Sequence, residues 1–254
     1  MFNIYTKILQ FGKNTIRSLS KTTQSNQKDN KIQAEKVNKL YEDNEYLEAY
    51  SQHTDLRVEA DSKSAIGGMW EEIGQLQFDF LVHKNLQPHH KMLDLGCGTL
   101  RGGQHFIKYL NKSNYYGIDI SPRAIEYAKK LVVLEGLSEK NPHLLVSENK
   151  NLKFLEFSAQ KFDYIIAQSV FTHLKPEHIE ECFENIGQIM FDDSVFYFTY
   201  NKGKEHKQTS IKGFKYPYSF FESLAEQYRF KLQECSQDYK HPRGQVMVEL
   251  RKKL

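Results

Sequence analysis

The stretch Met92–Gly103 constrains the fold of this chain more than any other segment, because three local signals follow one another in it. An apolar run leads to Asp94, a turn with Gly96 and Gly98 follows, and an amphipathic segment begins after Gly103. This order is typical of a buried strand, a tight turn and a helix N-terminus. Glycine lets a backbone approach a ligand closely, and the first turn of a helix has unpaired N–H donors. At the carboxyl edge of a parallel sheet, such a turn predicts a nucleotide-type ligand site.

Seven runs with strand character occur along the chain, and helical patterns separate the first five of them. They are Lys91–Leu95, Tyr115–Asp119, His143–Ser147, Phe162–Ala167, Ser194–Tyr200, Lys231–Cys235 and Gln245–Leu250. Alternating strands and helices predict a parallel sheet with helices on both faces. No helix separates the last two runs, so they predict an antiparallel hairpin, and the polar segment Asn201–Tyr216 predicts a loop. The predicted fold class is α/β, a Rossmann-like doubly wound sheet of seven strands, mostly parallel with a terminal antiparallel hairpin.

The first 60 residues differ in character from the rest. Residues 1–28 are basic and have apolar side chains at helical spacing, residues 20–34 are typical of a polar linker, and an acidic stretch follows up to Asp61. A basic amphipathic helix can lie on a membrane surface, target an organelle, or pack on its own domain or a partner. Periodicity alone does not choose between these alternatives. We therefore predict an N-terminal segment over residues 1–60 and an α/β domain over residues 61–254.

Composition excludes several classes of protein. The net charge of +3 is too small for the concentrated basic face of a nucleic-acid-binding protein. The three cysteines are far apart and form no cluster with histidines, so we expect neither a disulfide framework nor a metal site. No apolar run is long enough to cross a membrane. We expect a cytoplasmic protein, with peripheral membrane contact through residues 1–28 left open.

Asp94 and Asp119 end the first two predicted strands. A carboxylate at the tip of the second strand can accept hydrogen bonds from both ribose hydroxyls of an adenosine. The alternative is that Asp119 caps the helix that begins at Ser121. The spacing of Gly96, Gly98 and Gly102 departs from the G-x-G-x-x-G pattern of dinucleotide-binding proteins.

Three motifs resemble those of class I S-adenosylmethionine-dependent methyltransferases, in the same order. Leu93–Thr99 resembles their motif I, Tyr116–Ser121 resembles motif II, and Phe162–Leu174 resembles motif IV with the loop after it. The resemblance covers about residues 65–250. Four shorter segments are similar to a bacterial subgroup of small-molecule-type enzymes, namely Ile66–Gly68, Trp70–Gly74, Leu100–Gly103 and His241–Gln245.

This resemblance implies S-adenosylmethionine as cofactor. Gly96 and Gly98 would let the backbone approach its aminoacyl part, Asp94 would orient its ammonium group, Asp119 would bind the ribose, and Ile120 would pack on adenine. The loop from Ser147 onward is implied beside the adenine edge. The full implied set of cofactor-binding residues is Asp94, Gly96, Cys97, Gly98, Thr99, Arg101, Asp119, Ile120, Gln168 and Ser169.

Leu100 departs from the family pattern, because many members have glycine at this place. The departure bears on how the methionine carboxylate is held. Arg101 could pair with that carboxylate, or it could be a solvated arginine in the first turn of the helix.

Methyl transfer from a sulfonium is an in-line displacement, so much of the catalysis is positioning. His173 follows the fourth strand and is the candidate general base, because a histidine has an unperturbed pKa of about 6.5. The alternative is a histidine with a purely structural role. The acceptor pocket is expected to include Trp70, His241, Arg243 and Gln245, although a single tryptophan equally fits a core position.

The expected activity is methyl transfer to a small-molecule or sugar- or lipid-linked acceptor. The Asn/Asp-Pro-Pro-Tyr signature of enzymes that methylate the nitrogens of DNA bases or glutamine amides is absent, since Gln168–Phe171 stands at that place. This favours oxygen as the acceptor atom. Two alternatives remain, a nicotinamide-dependent oxidoreductase and a non-catalytic adaptor that retains the fold.

Overall fold

The computed structural model describes residues 32–65, 67–235 and 237–253, and the chain divides into two compact units. The first unit ends at Glu45 and contains helix α1 over residues 32–43. The second unit begins at Tyr46. The basic helix predicted within residues 1–28 lies outside the described residues. Among the helices that are described, none is long and apolar enough to cross a membrane.

The second unit alternates helices and strands. Its helices are α2 (Tyr46–Ala60), α3 (Ser62–Ala65), α4 (Trp70–His83), α5 (Gly103–Tyr109), α6 (Pro122–Leu134), α7 (Pro176–Ile186) and α8 (Tyr218–Gln227). Its strands are β1 (Met92–Leu95), β2 (Tyr115–Asp119), β3 (His143–Val146), β4 (Phe162–Ala167), β5 (Met190–Tyr200), β6 (Lys207–Ser210), β7 (Gly213–Lys215), β8 (Phe230–Glu234) and β9 (Val246–Lys252).

Seven of these strands form one sheet in the order β3-β2-β1-β4-β5-β9-β8. The first five strands along the chain are parallel, and β9 runs antiparallel to both β5 and β8. This confirms the predicted fold class, including the terminal hairpin. The chain builds outward from β1 through β2 to β3 and then returns to β4 on the other side. The resulting switch point between β1 and β4 leaves a crevice at the carboxyl ends of these strands.

The central strands β1 and β4 are buried on both faces. All four residues of β1 are buried, and so are five of the six residues of β4. A strand that is covered on both faces has a nearly continuous run of apolar residues in its sequence, rather than an alternation of apolar and polar ones. The exception in β1 is Asp94, a buried acid that faces the candidate site.

The segment predicted as a loop between residues 201 and 216 contains a second, two-stranded sheet formed by β6 and β7. The four side chains of β6 are all exposed and polar, so no apolar alternation marked this strand. Phe214 of β7 is buried, and its N–H donates to the Thr172 carbonyl at 2.9 Å. The hairpin is thereby attached to the segment that follows β4.

Helix α2 belongs to the unit that contains the sheet, whereas the sequence prediction placed the boundary between residues 60 and 61. Ser51 Oγ donates to the Ile120 carbonyl at 2.7 Å. Asp55 Oδ1 accepts from Ser121 Oγ at 2.5 Å and from the Arg123 N–H at 3.1 Å. These bonds join α2 to the end of β2 and the start of α6.

Candidate active site

A cavity of about 420 Å³ opens at the carboxyl ends of β1, β2 and β4. The turn after β1, the loops after β3 and β4, helix α2, the β6–β7 hairpin and the residues before β9 form its walls. The cavity therefore lies at the switch point of the sheet, where α/β folds bind ligands.

The glycine turn after β1 is hydrogen-bonded to the end of β2. The N–H groups of Gly96 and Cys97 donate to the Ile118 carbonyl at 2.8 and 3.1 Å. Gly96 has φ +73°, and a Cβ atom there would lie 2.5 Å from Val170 Cγ2. A side chain at this position would meet both backbone strain and a clash, so the turn requires glycine.

Leu100 adopts the left-handed conformation, with φ +68°, and its side chain is fully buried. Glycine adopts this backbone conformation without strain, which agrees with the glycine expected at this place from the family resemblance. The turn forms in this chain with leucine because the side chain packs into the core around β1 and α5.

Asp94 is 3% exposed at the floor of the cavity. The Tyr115 hydroxyl donates to its Oδ2 at 2.7 Å. Burial raises the pKa of Asp94 to about 7 despite this hydrogen bond. A cationic group bound beside it would favour the carboxylate form, so the site suits an ammonium group.

Asp119 is 9% exposed at the end of β2. Its Oδ2 accepts from the Gly98 N–H and its Oδ1 from the Ser121 N–H, both at 2.8 Å. Burial raises its pKa, and these backbone hydrogen bonds oppose that shift. Each carboxylate oxygen can accept a further hydrogen bond. The cap of α6 is Ser121 itself, whose Oγ accepts from the Ala124 N–H at 3.0 Å, so Asp119 is available to a ligand.

Arg101 is 6% exposed, which rules out the solvated position that the sequence left open. Its Nη1 donates to the Gly68 carbonyl at 2.9 Å, and burial lowers its pKa to about 10. The Arg243 guanidinium lies nearby and donates to the Gly67 carbonyl. Two guanidinium groups thus meet at the Gly67–Gly68 turn.

His241 completes this corner of the cavity. Its Nδ1 accepts from the Arg243 N–H at 3.2 Å, which places the ring proton on Nε2. Within the described residues, Nε2 has no hydrogen-bond partner although it is buried. Burial and the charges of Arg101 and Arg243 lower the pKa of His241 to about 4, so the ring is neutral at pH 7. A neutral N–H donor beside two cations suits an acceptor oxygen on a ligand.

A polar network joins the end of β4 to β5 and β9. Gln245 Oε1 accepts from Thr199 Oγ1 at 2.8 Å, from Ser169 Oγ at 3.0 Å and from Gln168 Nε2 at 3.3 Å. The Tyr239 hydroxyl donates to Gln168 Oε1 at 2.7 Å. Thr199 and Tyr239 were missed from the sequence, because Thr199 reads as an ordinary strand residue and Tyr239 lies in a segment without a motif.

His173 also lines the cavity, and its Nδ1 lies 2.6 Å from the Lys212 carbonyl oxygen. A carbonyl can only accept, so Nδ1 carries the ring proton and Nε2 has the lone pair. Burial lowers the pKa of His173 to about 4, in contrast to the value of about 6.5 assumed from the sequence. The ring is therefore neutral at pH 7.

The structure brings most of the predicted site residues to this one cavity. They are Asp94, Gly96, Cys97, Gly98, Arg101, Asp119, Ile120, Gln168, Ser169, His173, His241, Arg243 and Gln245. Thr99 and Trp70 are not among the described residues that line it. Thr99 Oγ1 donates to the Ser62 carbonyl at 3.0 Å, and Trp70 packs against the core with Lys63 Nζ 5.3 Å from its ring centre.

The loop after β3 lines the side of the cavity next to Ile120. Its contributions include Ser147 and the apolar side chains of Leu152 and Phe154. Within the described residues, no cluster of histidine, cysteine or acidic side chains could hold a metal ion.

Comparison with known proteins gives matches to methyltransferases. A family model described as a methyltransferase domain matches residues 93–196. An uncharacterized protein of Rickettsia prowazekii is 29% identical over 113 residues, which are 44% of this chain and 42% of that protein. A malonyl-[acyl-carrier protein] O-methyltransferase of Legionella pneumophila is 29% identical over 127 residues, 50% of this chain and 40% of that protein. The matches thus span less than half the length of these relatives.

Solved structures share the fold. Magnesium protoporphyrin IX methyltransferase from Synechocystis PCC 6803 is 16% identical, with a TM-score of 0.53 over 71% of this chain and 81% of that one. A methyltransferase of Leishmania major is 12% identical, with a TM-score of 0.58 over 80% and 81%. Residues 93–196 thus match a methyltransferase domain, and the strand order and the cavity at the switch point belong to a fold that solved S-adenosylmethionine-dependent methyltransferases share.

Proposed function

We propose that this protein transfers a methyl group from S-adenosylmethionine to an oxygen atom of a small molecule or of a sugar- or lipid-linked acceptor. One observation carries the proposal. The residues suited to the cofactor line a single cavity together with Gln168, Ser169 and Gln245 of the polar network, so cofactor and acceptor can meet at the end of β4.

The residues present fit the cofactor group by group. Asp94 suits the ammonium group, Asp119 suits the ribose hydroxyls, and Ile120 with Leu152 and Phe154 offers apolar surface to the adenine. When bound, S-adenosylmethionine supplies an electrophilic methyl group on a sulfonium centre.

His173 is the residue that we assign to proton removal from a hydroxyl acceptor. Its Nε2 carries the lone pair, because Nδ1 is held by the Lys212 carbonyl. The proton of the acceptor hydroxyl would pass to Nε2 as the oxygen attacks, and fixing the ring in one orientation favours this step. The Legionella pneumophila relative is an O-methyltransferase by name, which supports oxygen as the acceptor atom.

The cofactor assignment is tested by Asp119→Asn, measured by calorimetry with S-adenosylhomocysteine. Loss of one acceptor oxygen is expected to raise Kd by about 10- to 100-fold, since a hydrogen bond to a charged group contributes about 1.5–3 kcal/mol. Asp163→Asn is the control, because Asp163 also accepts a backbone N–H, from Lys91 at 2.7 Å, but is not among the residues that line the cavity. An unchanged affinity of Asp119→Asn for S-adenosylhomocysteine would contradict the assignment. So would tight binding of NADH by a wild-type protein that does not bind S-adenosylhomocysteine.

The acceptor atom is tested with radiolabelled S-adenosylmethionine and paired acceptors that differ only in a hydroxyl or an amino group. Labelled product is expected from the hydroxyl member of a pair and is expected to decrease in His173→Ala. Product from amines alone would exclude oxygen as the acceptor atom.

A further inference from the structure

One face of helix α2 forms a wall of the cavity. Leu47, Tyr50, Thr54 and Arg57 all line it, and their spacing of three or four residues places them on the same side of the helix. The turn of the β6–β7 hairpin brings Lys212 to the same cavity. Arg57 and Lys212 therefore reach the cavity from two different elements.

Arg57 and Lys212 have no acidic partner in the part of the chain that the structure describes. Within the described residues, no carboxylate lies within 4.0 Å of Lys212 Nζ or of the Arg57 guanidinium, although other lysines of the unit are paired, such as Lys84 with Asp238 at 2.6 Å. Arg57 Nη2 donates to the Ser64 carbonyl at 3.1 Å, and Lys212 Nζ lies 5.3 Å from the centre of the Tyr50 ring. Burial and the charge of Arg57 lower the pKa of Lys212 to about 8.

Placing two like charges together in a partly buried wall costs free energy unless an opposite charge is bound there. An anion between them would gain charge-assisted hydrogen bonds from both. It would also raise the pKa of the neighbouring His173, which makes that ring a better proton acceptor.

The carboxylate of S-adenosylmethionine does not match this position. That carboxylate is the cofactor's single anionic group, and it is attached to the same carbon as the ammonium group that Asp94 suits. The charge of Asp94 acts on the pKa of Arg101, whereas burial and the charge of Arg57 are what lower the pKa of Lys212. An anion bound by Arg57 and Lys212 would therefore come from a molecule other than the cofactor.

We propose that Arg57 and Lys212 bind an anionic group of the methyl acceptor, a carboxylate or a phosphate, beside His173. The inference rests on the proposed function and narrows the acceptor to an anionic hydroxyl compound.

The test is calorimetric titration of the full-length protein, first with S-adenosylhomocysteine and then, once saturated, with inorganic phosphate or acetate at constant ionic strength. Wild type is expected to bind at least one of these anions. Lys212→Gln and Arg57→Gln are expected to weaken that binding at least tenfold, and Arg57→Lys to retain most of it. Tighter binding of phosphate would indicate a phosphorylated acceptor, and tighter binding of acetate a carboxylated one.

Lys215→Gln is the matched control, because Lys215 lies on the same hairpin but is exposed and does not line the cavity. It should bind anions as wild type does, and thermal unfolding should show that each variant is folded. Anion binding that is absent in wild type, or equal in wild type and both Gln variants, would overturn this inference while leaving cofactor binding intact. Failure of wild type to bind S-adenosylhomocysteine would instead refute the proposed function. If Lys212→Gln weakened the binding of S-adenosylhomocysteine as much as it weakened the binding of the anion, the two cations would lie at the cofactor. That result would also overturn the inference.

Discussion

At the scale of single residues, the site combines groups whose local environments are unfavourable on their own. Leu100 is left-handed, Asp94 is a buried acid, and the Nε2 donor of His241 lacks a partner among the described residues. Strained or unsatisfied groups of this kind cluster where a ligand binds or where the surrounding structure holds them. The core holds the buried side chain of Leu100, whereas Asp94 and His241 line the cavity that we propose as the ligand site.

The left-handed backbone of Leu100 predicts which of two substitutions there destabilises the protein more. Leu100→Ala should destabilise the protein by about 2–5 kcal/mol, because it leaves a cavity in the core. Leu100→Gly should cost about 1 kcal/mol less than Leu100→Ala, because glycine relieves the left-handed strain. At the buried helical residue Leu81 the order should be the reverse. Urea unfolding of the four variants measures this, and the same order at both positions would show that Leu100 is not strained.

Asp94 gives a prediction about pH. Its pKa of about 7 in the free protein means that it is largely protonated below pH 7, and binding an ammonium group must then release the proton. The affinity for S-adenosylhomocysteine should therefore fall as pH decreases from 7 to 5.5 and level off above about pH 7.5. Calorimetry across this range measures it. In Asp94→Asn the affinity should be weak and nearly independent of pH, and an unchanged slope in that variant would assign the proton to another group.

At the scale of elements, the cavity depends on α2 as much as on the sheet. Asp55 fastens this helix to the start of α6 by accepting from Ser121 Oγ and from the Arg123 N–H. The apolar runs of β1, β2 and β4 were readable from the sequence because these strands are buried. The attachment of α2 was not, because its contacts are polar and lie more than sixty residues away in the chain.

Asp55→Ala is expected to lower the free energy of unfolding by about 1–2 kcal/mol, since two N-terminal donors of α6 lose a charged acceptor. Because Asp55 joins α2 to α6, the amide hydrogens of α2 should also exchange faster in this variant. Chemical denaturation and hydrogen exchange measure the two effects. Glu126→Ala removes only ion pairs on the exposed face of α6, so it should change stability by less than about 0.5 kcal/mol. Equal effects of the two substitutions would argue against this role of Asp55.

At the scale of the whole molecule, the sequence before the α/β domain has a charge pattern of its own. Five basic residues occur in residues 1–28 without an acidic one, namely Lys7, Lys13, Arg17, Lys21 and Lys28. We expect this segment to associate with anionic membrane surfaces, since each basic residue near such a surface contributes about 1 kcal/mol.

Sedimentation with vesicles tests this expectation. The full chain should sediment with vesicles that contain phosphatidylserine and be released by salt, whereas a chain that begins at residue 29 should stay in the supernatant. Vesicles of phosphatidylcholine alone are the control. Equal partitioning of the two chains would remove any role of residues 1–28 in membrane contact.

The succession of helices and of the seven strands of the large sheet, the glycine turn, and the acids at the ends of β1 and β2 were predictable from the amino-acid sequence alone. These features depend on local rules, such as burial patterns and backbone conformation, that leave a mark in neighbouring residues. The burial of Arg101, the lowered pKa of His173 and the positions of Thr99 and Trp70 away from the cavity are evident from the three-dimensional structure alone. It also placed Arg57 and Lys212 in the wall of one cavity. Burial and charge pairing depend on groups that are distant in the chain and that come together only when the chain folds.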